Sequence, residues 1–157
     1  MLKIGLAGCG NWSNTVLNEI KNNKNLILNS IFCRNYHSKK INFDNNIRVF
    51  ENIESFFLEN PNNCIYIAGT PELNFEAVNL ALKNKNPLIL EKPVCNTSQK
   101  IEKIQFLANK HGLIILPNLT NYFSDSFFYL KNYIDKNFDE IKRIIIFEGG
   151  NGPYRKN

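Results

Sequence analysis

The first thirteen residues constrain this chain most. Met1-Leu-Lys-Ile-Gly-Leu-Ala-Gly8-Cys9-Gly10-Asn11-Trp12-Ser13 puts a short apolar run directly ahead of a Gly-x-Gly-x-x-Ser turn, and a helical pattern follows. Glycine at position 8 permits a tight strand-to-helix turn, and glycine at position 10 lets the backbone approach a ligand. The next helix then offers unpaired N–H groups and the positive end of its dipole. Such a turn either cradles the pyrophosphate of a dinucleotide or is a bare β–α turn. Asn11 and Trp12 open the helix, and Trp12 would either wall a cofactor or pack beneath the first turn. Ser13 stands where glycine or alanine is usual, and it is small enough for helix and strand to approach. With the turn this near residue 1, no leader or anchor segment is expected ahead of it.

The rest of the chain repeats the same alternation. Residues 3–7 form an unbroken apolar run, as expected of a parallel strand buried on both faces. A helical stripe of Val16, Leu17 and Ile20 leads to a second strand at 26–33. Further strands are predicted at 47–50, 64–68, 87–90 and 113–116. Helices are predicted at 53–58, after Thr70-Pro71 and after Thr97. Thr70 and Thr97 suit helix caps, Pro71 suits a first helical position, and His111-Gly112 suits a helix stop. The stripe of the helix after Thr70 is Leu73, Ala77, Leu80 and Ala81. That of the helix after Thr97 is Ile101, Ile104, Leu107 and Ala108. This is the pattern of an α/β fold, a Rossmann-type doubly wound parallel sheet, over residues 1–120. Residues 121–157 add a helix at 125–137 and an apolar strand at 141–147, which would open a second, incomplete α/β domain.

Composition narrows the function classes. The chain has 157 residues, 43% hydrophobic and 21% charged, which suits one globular core. Its net charge of +5 favours acidic ligands only mildly, and no basic run reaches the length of a nucleic-acid stripe. No apolar run is long enough to span a membrane. Cys9, Cys33, Cys64 and Cys95 form no CxxC pair and have no histidine at metal-ligand spacing, so no metal site is expected. They read as small buried thiols of a cytoplasmic protein. His37 and His111 carry no assignment.

Two further places bear on chemistry. At the end of the second strand a carboxylate would bind the ribose 2′-OH of NAD. This chain has Cys33-Arg34-Asn35 there, and Arg34 could meet a 2′-phosphate with Ser38 or Lys39, or be a solvated loop residue. The motif logic therefore favours NADP over NAD. Glu91-Lys92-Pro93 ends the fifth strand, on the side of an open α/β sheet where ligands bind. A lysine there can hydrogen-bond a substrate hydroxyl or carbonyl, and partial desolvation would suit it to proton transfer. Pro93 would stiffen the turn and keep Glu91 and Lys92 extended.

The order Gly8-Cys-Gly-Asn-Trp12, then Cys64-Ile-Tyr-Ile-Ala-Gly-Thr-Pro71, then Ala81 through Pro87 to Glu91-Lys92-Pro93 resembles the Gfo/Idh/MocA family. The resemblance implies NAD(P)-dependent oxidation or reduction at a carbinol carbon of a sugar, polyol or nucleotide sugar. It implies that Gly8, Gly10, Asn11 and Trp12 line the pyrophosphate, and that Thr70 and Pro71 border the ribose and nicotinamide. It also implies that Glu91 contacts the nicotinamide ribose and that Lys92 stands at the reaction centre. Two departures matter. The family often has histidine where this chain has Asn74, and its members run to well over twice this length. The expected function is thus the NAD(P)-binding portion of an oxidoreductase, which turns over no sugar unaided. The alternative is a non-catalytic dinucleotide-binding module or an inactive fragment. Phe123, Phe127, Phe128 and Tyr133 would leave an apolar face suited to a homo-oligomer.

Overall fold

The parallel sheet forms as the apolar runs require. In a computed structural model of the chain, residues 1–36, 46–59 and 62–145 are described. Strands β1 (Leu2–Ala7), β2 (Leu26–Phe32), β3 (Arg48–Phe50), β4 (Cys64–Ile67), β5 (Leu88–Leu90) and β6 (Ile115–Pro117) lie in the order β3-β2-β1-β4-β5-β6. Every pairing is parallel. The order reverses between β1 and β4, and the crevice at the carboxyl ends of those two strands is where such sheets bind ligands.

Alternation along the strands sends side chains into two cores. Ile4, Leu6 and Ile31 pack with Val16 and Ile20 of α1 (Asn11–Asn22) on one face. Ala7, Phe32, Ile65 and Ile67 pack on the other against α2 (Ile53–Leu58), α3 (Pro71–Asn84) and α4 (Ser98–His111). Phe56 and Phe57 are almost wholly buried there, each stabilising the fold by about 1.5–3 kcal/mol. Helices on both faces make the sheet doubly wound.

The helix signals act as their chemistry dictates. Thr70 Oγ1 accepts from Leu73 N–H at 3.3 Å and Thr97 Oγ1 from Lys100 N–H at 3.4 Å. Gly112 takes the left-handed conformation, φ 63°, that ends α4. Three expectations need correction. Ile101 is exposed, and Ile104 is the one buried residue of its stripe. β6 starts at Ile115 because the Leu113 N–H is used to close α4, bonding Ala108 O at 2.9 Å. The cysteines are not all thiols: Cys9 and Cys33 form a disulfide. They are 24 residues apart in sequence, but the β1 exit lies beside the β2 end and brings their Cα atoms to 5.4 Å. Cys64 and Cys95 are unpaired.

The chain divides into a unit of residues 1–119 and a unit of residues 120–157. In the second, Ser124 caps α5 (Asp125–Asn137), accepting from Phe127 N–H at 3.2 Å. Tyr122 packs edge-on against Phe123 and Phe128, and Lys131 pairs with Asp135 along the helix. The strand expected at 141–147 is not formed over 141–145, and 146–147 lie outside the described residues. A strand needs a neighbour to take its hydrogen bonds, and none pairs with this segment among the described residues.

Candidate dinucleotide site

The turn after β1 is built around two glycines with different tasks. Gly8 has φ +128°, and a Cβ there would stand 2.3 Å from the carbonyl oxygen of Ala68. Only glycine lets the β1 exit run this close to the end of β4. The Gly8 N–H donates to Phe32 O at 2.9 Å, which fixes the turn to β2 as well. Gly10 is the opposite case. Its φ is −89°, and a Cβ on it would meet nothing within 4 Å.

Gly10 is also the N-cap of α1, and no side chain caps that helix. The helices α2 to α5 are capped by Asn52, Thr70, Thr97 and Ser124. The first turn of α1 therefore faces open space with N–H groups that no side-chain cap fills, the arrangement an anion requires. Asn11 and Trp12 are exposed on that turn. Ser13 is not: it is buried, and its Oγ lies 3.3 Å from where a Gly8 Cβ would stand. Its small side chain fills the space under the turn.

Two clefts flank the turn and share Gly69. One, of about 320 Å³, is bounded by Gly8, Arg34, Thr70, Glu72 and Glu76. Arg34 is exposed, and Pro71 is the first residue of α3. The Glu72 backbone N–H and the Thr70 hydroxyl hold the Glu72 carboxyl below the ordinary range. Ser38 and Lys39, the expected helpers of Arg34, lie outside the described residues, as do His37 and the segment 149–155.

The second cleft is bounded by Trp12, Ala68, Gly69, Glu91 and Lys92. Lys92 is exposed, so the desolvation expected for it is not supplied by the residues of this unit. The Lys92–Pro93 peptide is cis. Glu91 is 7% exposed and densely bonded. Its Oε1 accepts from Trp12 Nε1 at 2.6 Å, from Asn118 Nδ2 at 2.6 Å and from the Tyr66 hydroxyl. Its Oε2 accepts from Lys92 N–H at 3.2 Å. Burial pushes the carboxyl up, but these donors together outweigh it and hold it below the usual range. The Trp12 indole is thus pinned to a carboxylate at the exit of β5 and borders this cleft.

Tyr66, Asn118 and Asn74 carry this arrangement; the sequence assigns the first two no role and marks Asn74 only as a departure from the family pattern. Tyr66 and Asn118 lie near the carboxyl ends of β4 and β6, so strand-end position was the signal that could have found them. Asn74 is fully buried on α3. Its Nδ2 donates to the carbonyls of Glu91 at 2.9 Å, Pro93 at 3.2 Å and Val94 at 3.1 Å, which anchors the Glu-Lys-Pro turn.

Burial, followed by the Glu91 hydrogen bond, pushes the Tyr66 phenol up to about 12 from an ordinary 10.0. A raised value favours the neutral phenol in the folded state, so this contribution to stability is whole below pH 10 and is lost as pH rises through 12. Denaturant unfolding of the wild type should therefore weaken across that window, and Tyr66→Phe should not share the loss. A Tyr66 phenolate absorbing at the pH of an ordinary tyrosine would contradict the arrangement.

The comparisons with known proteins fit this geometry. The sequence profile of the Gfo/Idh/MocA oxidoreductases, described as an NAD-binding Rossmann fold, matches residues 2–119. The chain belongs to the Gfo/Idh/MocA oxidoreductase family. A comparison with curated protein sequences returns no match. Among solved structures, the fold is similar to scyllo-inositol dehydrogenase from Lactobacillus casei with bound NAD(H) and scyllo-inositol, at 19% identity and TM-score 0.75. That alignment covers 88% of this chain and 42% of the dehydrogenase. A dehydrogenase from Chromobacterium violaceum aligns at 20% identity and TM-score 0.77, over 86% of this chain and 40% of that one. An oxidoreductase from Agrobacterium radiobacter in complex with NAD+, L-tartaric acid and magnesium gives 17% identity and TM-score 0.72, over 87% and 40%. This Gfo/Idh/MocA chain thus spans about two-fifths of the length of the solved relatives it matches. Among the described residues there is no cluster of metal-ligating side chains, and no helix long and apolar enough to cross a membrane.

Proposed function

We propose that this chain is the dinucleotide-binding part of an oxidoreductase that moves hydride between a nicotinamide cofactor and the carbinol carbon of a sugar, polyol or nucleotide sugar. The observation that carries the reading is the open, side-chain-free start of α1 at Gly10, set at the switch point of the sheet between two clefts. An extended dinucleotide fits that order, with its pyrophosphate against the α1 N–H groups, its adenosine toward Arg34 and its nicotinamide toward Glu91 and Lys92. Bound nicotinamide supplies a two-electron hydride acceptor or donor. The Glu91 carboxylate, held by three side-chain donors, presents Oε2 to a ribose hydroxyl. The Lys92 ammonium donates to the substrate oxygen and carries the proton that accompanies hydride transfer.

The Arg34 cleft changes the choice of dinucleotide. Among the described residues, Arg34 shares it with Glu72 and Glu76, one cation against two carboxylates. A 2′-phosphate would bring further negative charge beside them. The cofactor proposed is therefore NAD, where Arg34 alone pointed to NADP. Titration with both dinucleotides, followed by the emission of Trp12, the chain's one tryptophan, tests this. NADH should bind more tightly than NADPH, and Glu72→Gln with Glu76→Gln should narrow the gap by several-fold, as exposed charges allow. Tighter NADPH binding by the wild type would reverse the choice, and binding of neither would remove the cofactor reading. The activity is tested separately, by NADH formation from NAD with polyols and sugars. Binding of NADH without turnover of any of them would favour the non-catalytic module.

A further inference from the structure

The Cys9–Cys33 bond lies inside the proposed dinucleotide site, and nothing in the proposed function uses it. Cys9 is the middle residue of the Gly8–Gly10 turn, and Cys33 stands between Phe32 and Arg34. Both backbones are seated before the sulfurs are considered. Gly8 N–H bonds Phe32 O at 2.9 Å, and Cys33 N–H bonds Phe50 O at 2.8 Å. The Cα separation of 5.4 Å is one at which a disulfide forms without backbone movement. One covalent link therefore joins the turn that faces the pyrophosphate to the strand end that carries Arg34. Cys64 and Cys95 are unpaired, and burial pushes both of their thiols up.

We propose that Cys9 and Cys33 form a reversible dithiol–disulfide site, and that its oxidised form binds the dinucleotide more tightly than its reduced form. The proposal rests on the dinucleotide reading above. Cys9 is partly exposed and borders the Arg34 cleft, whereas Cys33 has no exposed surface. Cys9 is thus the sulfur that meets an outside reagent. With a low-molecular-weight disulfide as oxidant, the Cys9 thiolate attacks one reagent sulfur, the reagent S–S bond breaks, and one reagent thiolate leaves. The Cys33 thiolate then attacks the Cys9 sulfur of this mixed disulfide and expels the second reagent thiolate. The two released thiolates take up the two protons lost by the cysteines. In sum, two protein thiols lose two electrons and one reagent disulfide is reduced to two thiols. A dithiol reductant runs the exchange backwards. The link matters for affinity because it removes, before binding, freedom of the turn that binding would otherwise have to remove.

The experiment equilibrates the whole chain with graded ratios of glutathione to its disulfide. At each ratio, thiols are counted by mass-tag alkylation after denaturation, and NADH affinity is measured in parallel. The chain has four cysteines, and the tag count should fall from four to two as the buffer becomes oxidising. NADH affinity should rise in step by about tenfold, an ordinary size for coupling between two sites. Cys9→Ser and Cys33→Ser should each abolish the response, so that failure of one to fold leaves the other. Cys64→Ser should keep it. Four tags at every ratio would overturn the disulfide. Equal affinity at all ratios, or tighter binding by the reduced form, would overturn the coupling while leaving the cofactor reading intact. Binding at no ratio would overturn the cofactor reading and the coupling together, with the thiol count still reporting on the bond.

Discussion

Replacing Gly8 by alanine should cost about 3 kcal/mol of folding stability, and replacing Gly10 by alanine should cost less than about 1 kcal/mol. The two glycines lie two residues apart in one turn, so the contrast is a demanding one. At Gly8 the added methyl meets two penalties. The backbone is at φ +128°, which L side chains rarely adopt, and the carbonyl of Ala68 stands 2.3 Å away and cannot swing aside as a side chain would. That carbonyl belongs to the segment leaving β4, so relief would have to part β1 from its central neighbour. At Gly10 the backbone is extended and the methyl enters open space. Urea unfolding should show the Gly8 variant's midpoint lowered at unchanged slope, and the Gly10 variant's nearly unmoved. NADH affinity should reverse the order of effect per unit of stability. The Gly10 methyl occupies the space proposed for the pyrophosphate, and affinity should fall at least about tenfold in a chain that remains folded. A Gly10 variant that binds NADH as the wild type does would place the pyrophosphate elsewhere.

The second large effect is expected at Asn74. One buried amide nitrogen serves three carbonyls of the Glu-Lys-Pro turn, at 2.9, 3.2 and 3.1 Å. Asn74→Leu keeps much of the volume and withdraws the donor, at a cost of about 3 kcal/mol. Asn74→Asp should be worse, because it sets an acceptor-only group against three acceptors. The consequence reaches the site. Glu91 is held at its carbonyl by Asn74 and at its carboxylate by Trp12, Tyr66 and Asn118. Loosening the turn should release the Trp12 indole from Glu91, so the variant's native-state emission should shift toward that of a solvated tryptophan. An Asn74→Asp variant as stable as Asn74→Leu would contradict the hydrogen-bond assignment.

Local signals in the sequence carried far. Thr70 and Thr97 marked helix starts because a hydroxyl before an apolar stripe has a backbone N–H to satisfy, and both are used in that way. The unbroken apolar run before Gly8 marked a strand buried on both faces, and β1 is the centre of the sheet beside β4. What the sequence left hidden depends on distant segments meeting. Cys9 and Cys33 are separate thiols in the sequence because their partnership exists only once β2 lies beside β1. Arg34 taken alone favours NADP, and that Glu72 and Glu76 of α3 border the same cleft is legible only in the fold. Tyr66 on β4 and Asn118 just past β6 are unremarkable in their own segments and acquire a role only through the carboxylate that follows β5. Asn74 looked like a departure from a family habit, and its three carbonyl partners explain why a side-chain donor is needed at that position. The segment 141–145 has the composition of a strand but no neighbour to pair with among the described residues.

The dinucleotide reading places the pyrophosphate of NAD at the start of α1, against Gly10. The most direct test titrates the folded chain and its Gly10→Ala variant with NADH while following Trp12, which sits two residues after Gly10 in the first turn of α1 and is the chain's one tryptophan. Saturable quenching of Trp12 with energy transfer to the bound nicotinamide is expected in the wild type, and at least about tenfold weaker binding in the variant. Trp12 emission that does not saturate with NADH, or equal saturation in both proteins, would contradict it.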